Sequence, residues 1–192
     1  MKFLSLLFLV FITPAMAAKM TISNIEIPTK IVIAYPINGT AIGGQIGLIL
    51  EKTDILKIYG FNPTIKRMKT DKELQMAILK NGTDVLITTE SNYVAMTETN
   101  ANVQAFSTLG LEKDFQLVNV IHKDFSAKNP KAVEKLNGAF IDAFYYLINH
   151  KAEVNKWYAD IAKSTPKAVD SASLVNKNYS AKKLSEIDIK IP

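Results

Sequence analysis

The stretch KIVIAYPINGTAIGGQIGLIL, residues 30–50, decides how this chain is read. Its first six residues form a β-branched apolar run, expected to be a buried strand. Residues 44–59 place Ile46, Ile49, Leu50 and Leu56 at mostly helical spacing and stop at Gly60. Between the two lies a loop, residues 36–43, of small and turn-forming side chains. Glycines in such a loop let backbone N–H groups come close to a ligand, and the helix behind it offers unpaired amides and a partial positive charge. The loop is also readable as a plain strand-to-helix connection.

The alternation continues downstream. Residues 62–68 (NPTIKRM) read as a half-exposed strand, and Thr70 with Glu73 forms a capping box ahead of Leu74, Ala77 and Ile78. That helix is expected to end at Asn81-Gly82, a pair that tolerates left-handed backbone. Residues 84–88 (DVLIT) follow as a short continuous apolar strand. A short helix over 91–99 and strands over 103–109 and 115–122 come next. Asn129-Pro130 then opens a long helix with Val133, Leu136, Phe140, Ile141, Phe144, Leu147 and Ile148 on one face. A break near residues 149–151 separates it from a helix over 152–163, and Thr165-Pro166 starts a last helical piece before a polar tail.

Strands alternating with helices at these lengths imply an α/β fold with a parallel or mixed sheet and helices on both faces. Ligands of such sheets sit beyond the carboxyl ends of the strands. The candidate ligand contacts are therefore Tyr35, Asn38, Gly39 and Thr40 after the first strand, and Thr88, Thr89, Glu90 and Ser91 after the third. Each has a plainer reading beside it. Thr88, Thr89 and Ser91 also suit helix capping, and Tyr35 and Tyr93 also suit the core. Glu90 disfavours a simple anion and leaves room for a cationic or neutral ligand.

The amino terminus bounds the compartment. Met1-Lys2, an apolar run over residues 3–12, and Ala15-Met16-Ala17 have the build of a secretory signal peptide cleaved after Ala17. The run is shorter than the roughly 18 apolar residues of a membrane span. Residues 1–17 are thus expected to be a signal and 18–192 one exported, periplasmic α/β domain.

Composition excludes much else. With no cysteine, disulfides, thiol catalysis and thiolate metal sites are unavailable, and the two histidines, His122 and His150, are too far apart in sequence to suggest a metal site. A formal net charge of +5, with lysines scattered, argues for solubility and against a nucleic-acid stripe. No G-x-S-x-G elbow, P-loop, H-E-x-x-H or G-x-G-x-x-G is present, so no catalytic residue, metal or cofactor is assigned and the chain is read as a non-enzyme.

Three segments in order carry a resemblance: Ile55-Leu56-Lys57-Ile58-Tyr59-Gly60-Phe61, then residues 75–87 (QMAILKNGTDVLI), then Asn129-Pro130 through Phe144, Asn149, Glu153 and Trp157. Together they resemble the periplasmic substrate-binding proteins of ABC importers of the nitrate/sulfonate/taurine type, including the thiamine-precursor binders. The resemblance implies a type II periplasmic-binding-protein-like fold, a mostly parallel sheet flanked by helices with further helices at the carboxyl end. It also implies an ABC permease in the inner membrane as partner and a small polar organic molecule or anion as ligand. Members of that family are two-lobed, with the second lobe inserted between the strands near Val103 and Phe115. Here about ten residues join those strands, too few for a domain, so a single lobe is expected. Half a site then needs a second copy or another protein to cover it. The competing non-enzymatic reading is an exported interaction or sensor module built from one such lobe, and a third is the relic of an internally deleted gene.

Overall fold

The computed structural model describes residues 27–38, 40–99, 101–110, 116–172 and 180–183. The expected signal peptide, Gly39, Phe115 and most of the polar tail lie outside these.

One six-stranded sheet organises the described residues, in the order β2-β1-β3-β5-β4-β6. The apolar run predicted as the first strand is β1 (Thr29–Pro36), sandwiched between β2 (Phe61–Met68) and β3 (Val85–Thr89). It is parallel to both. The remaining strands, β4 (Val103–Gly110), β5 (Gln116–His122) and β6 (Ser180–Lys183), add on antiparallel. The expectation of a mostly parallel sheet is therefore corrected: it holds for β1, β2 and β3 and fails beyond them. For the β4–β5 pair the cause is chain length. A parallel pair needs a crossover of a dozen or more residues, whereas β4 and β5 are separated by five, so they pair as neighbours running opposite ways. That short connection also leaves no room for a second lobe between them.

Helices cover both faces. On one face α1 (Ala41–Lys52), α6 (Ala132–Asn149) and α7 (Lys151–Ala162) lie together. Beneath them Ile31, Ile33, Ile87, Leu117, Ile121, Phe140 and Phe144 form the main core. On the other, α3 (Asp71–Leu79) and α4 (Glu90–Glu98) cover Ala34, Leu86, Val118 and Val120. Consecutive β3 residues, Val85 to Ile87, alternate between these cores, as the pleat requires. A register shift between Ala105 and Ser107 accompanies the entry of Phe106 into the main core, where it meets Phe140 edge-on at 5.5 Å.

Local signals explain the element ends. The expected helix over 44–59 starts earlier, at Ala41, and splits at Thr53-Asp54 into α1 and the short α2 (Ile55–Ile58). The Thr53 hydroxyl donates to the Ile49 carbonyl and its backbone is extended, which stops the helix. Gly60 (φ 81) then turns the chain into β2. Thr70 caps α3 through the Glu73 N–H, while the Glu73 carboxylate accepts from Lys69 N–H. Asn81 adopts the left-handed turn expected of it, at φ 54. Two elements escaped the sequence reading: α5 (Lys123–Lys128), capped by the His122 ring, and β6, which lies in the stretch expected to be a polar tail. The long helix accordingly starts at Ala132 and not at Pro130. The chain's last described helix is α8 (Pro166–Ala172).

Candidate functional site

Because β1 and β3 are adjacent and parallel, their carboxyl ends leave the sheet at the same edge. The loop of Asn38 and Thr40 therefore stands beside the turn of Thr89 to Ser91. The two candidate clusters read from the sequence share one edge. Met68, at the end of β2, joins them: its carbonyl accepts from Ile37 N–H at 2.9 Å.

The first junction is held from behind. The Tyr158 hydroxyl donates to the Ile37 carbonyl at 2.9 Å, and its ring lies against Gly44, where an added Cβ would sit 2.2 Å from ring carbon Cε2. One residue on, Gln45 Nε2 donates to Asn155 Oδ1 at 2.6 Å within the buried interior. The start of α1 is thus pinned to α7, and Gly43 sinks its first turn onto the sheet, near Leu117 and Ile87. Gly43 and Gly44 serve helix packing here, since the loop proper ends at Thr40.

Thr40 occupies the cap position of α1, yet its hydroxyl makes no capping bond, and no acidic residue lies in the first turn. The amide end of α1 keeps its positive character. The Thr40 Oγ1 atom is buried and has no hydrogen-bond partner. The second junction repeats this. Thr88, only 1% exposed, has a buried Oγ1 without a partner, and one turn into α4 the Asn92 Nδ2 atom is likewise buried and unpartnered. Thr89 is used as a cap, accepting from Asn92 N–H at 3.4 Å, and its hydroxyl lies 3.1 Å from that of Ser91. Glu90 and Ser91 are exposed. Among the described residues, six buried side-chain polar atoms lack a partner, and three of them belong to these two junctions. An unpaired buried polar group costs about 1–3 kcal/mol, so such groups are normally completed by water or a ligand.

Tyr35 is placed differently from the other candidates. Its ring is buried under α1, where a Cβ on Gly47 would lie 2.1 Å from ring carbon Cγ, and its hydroxyl donates to Glu51 at 2.7 Å. Glu51 also takes a two-pronged hydrogen bond from Arg67 at 2.7 and 2.9 Å. Burial, then the Glu51 carboxylate, push the Tyr35 phenol well above its ordinary range. Burial works against ionised Glu51, but the hydrogen bonds from Arg67 and Tyr35 outweigh it and hold that carboxyl below its usual value. Tyr93 is buried in the second core.

Sequence reasoning missed Asn92, Tyr158 and the Gln45–Asn155 pair. Asn92 stands three residues after the cap Thr89 and four after Thr88, a spacing that puts it one helical turn along, which was the available signal. Tyr158 carried none, because only the fold brings it to Ile37. Among the described residues no three His, Asp or Glu side chains are grouped to hold a metal, and no helix is long and apolar enough to cross a membrane.

No family model and no curated protein matches the chain. Solved structures do. The periplasmic aliphatic sulphonate binding protein SsuA from Escherichia coli superposes with a TM-score of 0.62 at 10% identity, covering 81% of this chain and 81% of that one. The alkanesulfonate-binding protein SsuA from Xanthomonas axonopodis pv. citri, solved bound to MOPS, gives 0.62 at 8% identity, covering 81% and 86%. A Candida albicans protein described as having the generic periplasmic binding protein structural fold gives 0.61 at 8%, covering 83% of each. The chain therefore has the type II periplasmic-binding-protein fold, in the form of one α/β lobe.

Proposed function

We propose that this chain, once its residues 1–17 are removed, is an exported solute-binding protein of the periplasm that presents a small polar organic molecule or anion to an ABC permease. The ligand sits against Asn38, Gly39 and Thr40 and against Thr88, Thr89, Glu90 and Ser91, with Tyr35 at the foot of the first loop and Asn92 completing the second. The observation that carries this reading is the set of partnerless buried atoms, Thr40 Oγ1, Thr88 Oγ1 and Asn92 Nδ2, at two junctions that share an edge. Structural neighbours that are binding proteins support it further. The amide end of α1 suits an anionic group, and Glu90 in the first turn of α4 suits a cationic one. A zwitterion such as an aminosulfonate satisfies both.

Isothermal titration of the mature chain with taurine, ethanesulfonate and nitrate tests this. Binding of one of these that falls at least tenfold in Thr40→Val and in Ser91→Ala is the expected result. Binding to none of them, together with native mass spectra of periplasmic material showing no retained small molecule, would overturn it.

A further inference from the structure

The opposite edge of the sheet carries a second concavity. There the chain enters β3 through Thr83 and Asp84, leaves β5 at His122 and enters β4 at Val103. Two adjoining cavities of about 300 and 240 Å³ open at this edge, and Asn81, His122 and Asp124 line both. The larger stands at the lower limit of ligand-pocket volumes and the smaller just under it.

The lining includes several polar groups, and these are held in place. Asp84 Oδ2 accepts from Val32 N–H at 2.8 Å, which fixes the carboxylate and leaves Oδ1 for another donor. Asp124 Oδ1 accepts from Asn102 Nδ2 at 2.8 Å. His122 is 9% exposed, and its Nδ1 accepts from Asp124 N–H at 3.3 Å, so in the neutral ring the proton resides on Nε2 as a donor. Thr83 lines the smaller cavity, is 3% exposed, and its Oγ1 has no partner. A hydroxyl buried to that degree without a partner, on the wall of a cavity, marks a place where something else supplies the bond.

We infer that this edge is a second ligand site, independent of the first, and that it takes a small primary amine carrying an oxygen acceptor beside the nitrogen. Among the residues lining the smaller cavity, Asp84 and Asp124 supply two carboxylates against the one ammonium of Lys128, while Lys66 Nζ outside that lining is held by the Gly82 carbonyl at 2.6 Å, so the lining itself favours a cation. The ligand's oxygen then meets the His122 Nε2–H and the Thr83 hydroxyl. Neither side chain belongs to the loops at the Thr40 and Thr89 edge, so the two sites are separable by mutation.

Amide-resolved NMR titration of the mature chain with ethanolamine, with ethylamine and with acetate tests the inference, at concentrations up to about 10 mM, the range in which weak sites saturate. Ethanolamine is expected to shift the signals of Thr83, His122 and Asp124, ethylamine to bind several-fold more weakly, and acetate not to bind there. Thr83→Val and Asp124→Asn should each weaken ethanolamine at least tenfold, while Thr40→Val leaves it unchanged. Asp124→Asn alters an exposed side chain and retains the acceptor for Asn102, so it folds even where a core change does not. Absence of any ethanolamine shift in the unmodified chain, acetate binding equal to ethanolamine, or shifts undiminished in Asp124→Asn would each overturn it.

Discussion

The Tyr158 hydroxyl holds the Ile37 carbonyl from a position 121 residues later, tying the loop after β1 to the second of the closing helices. Loss of that bond frees the loop without unpacking the ring. Tyr158→Phe should therefore cost about 1 kcal/mol in a denaturant melt. It should weaken ligand binding more than this stability loss alone would suggest, because the loop loses its rear anchor. Titration of the taurine-type ligand beside the melt separates the two effects.

Gly44 and Gly47 are irreplaceable for the same reason, to different degrees. A Cβ on Gly44 meets the edge of the Tyr158 ring at 2.2 Å, and one on Gly47 meets the Tyr35 ring at Cγ, 2.1 Å away. Cγ is fixed to its own backbone within β1, so it yields less than a ring edge does. Gly47→Ala should destabilise by about 3 kcal/mol or more and Gly44→Ala by about 1–3 kcal/mol, read as midpoint shifts in urea.

The Tyr35–Glu51–Arg67 group makes stability depend on pH at both extremes. Glu51 ionises more easily folded than unfolded, so its contribution is present above the ordinary carboxylate range and disappears as pH falls through the lower folded value. Tyr35 resists ionisation in the fold, so its contribution is present below pH 10.0 and declines above it. Glu51→Gln should flatten the acid limb and cost about 1 kcal/mol at neutral pH, since the group is partly solvated. Thermal melts between acid and neutral pH check this.

In a single lobe the edge proposed to hold the ligand is open to water. Polar contacts there return little net free energy against the cost of immobilising a ligand, so a monomer should bind its solute with a Kd of about 100 µM or weaker. Tight binding should accompany a second copy or another protein over the edge. Calorimetry paired with sedimentation decides: a sub-micromolar constant for a proven monomer contradicts this prediction.

Thr70 tests the local sequence signals. Its side chain caps α3 by accepting from Glu73 N–H at 3.1 Å, and both partners are exposed. Thr70→Ala should cost about 1 kcal/mol, and hydrogen exchange at the first turn of α3 should quicken while exchange in β1 does not.

Much of this was legible from residue order because it depends on neighbours along the chain. The apolar run of β1, the Thr70–Glu73 box, the left-handed Asn81 and the Leu136, Phe140, Phe144 and Leu147 part of the α6 face follow from spacing and backbone preference, whereas Ile148, expected on that face, lies exposed. The sharing of one edge by the Asn38 and Thr89 turns followed as well, from strands and helices alternating in register. Tertiary structure decided what depends on residues far apart in the chain. It set the antiparallel half of the sheet, the bond from Tyr158 to Ile37, and the burial of Tyr35 beneath Gly47. It also left hydroxyls such as those of Thr40, Thr83 and Thr88 without partners. A side chain's polarity is written in the sequence, but whether a partner stands opposite it is settled only when distant elements pack.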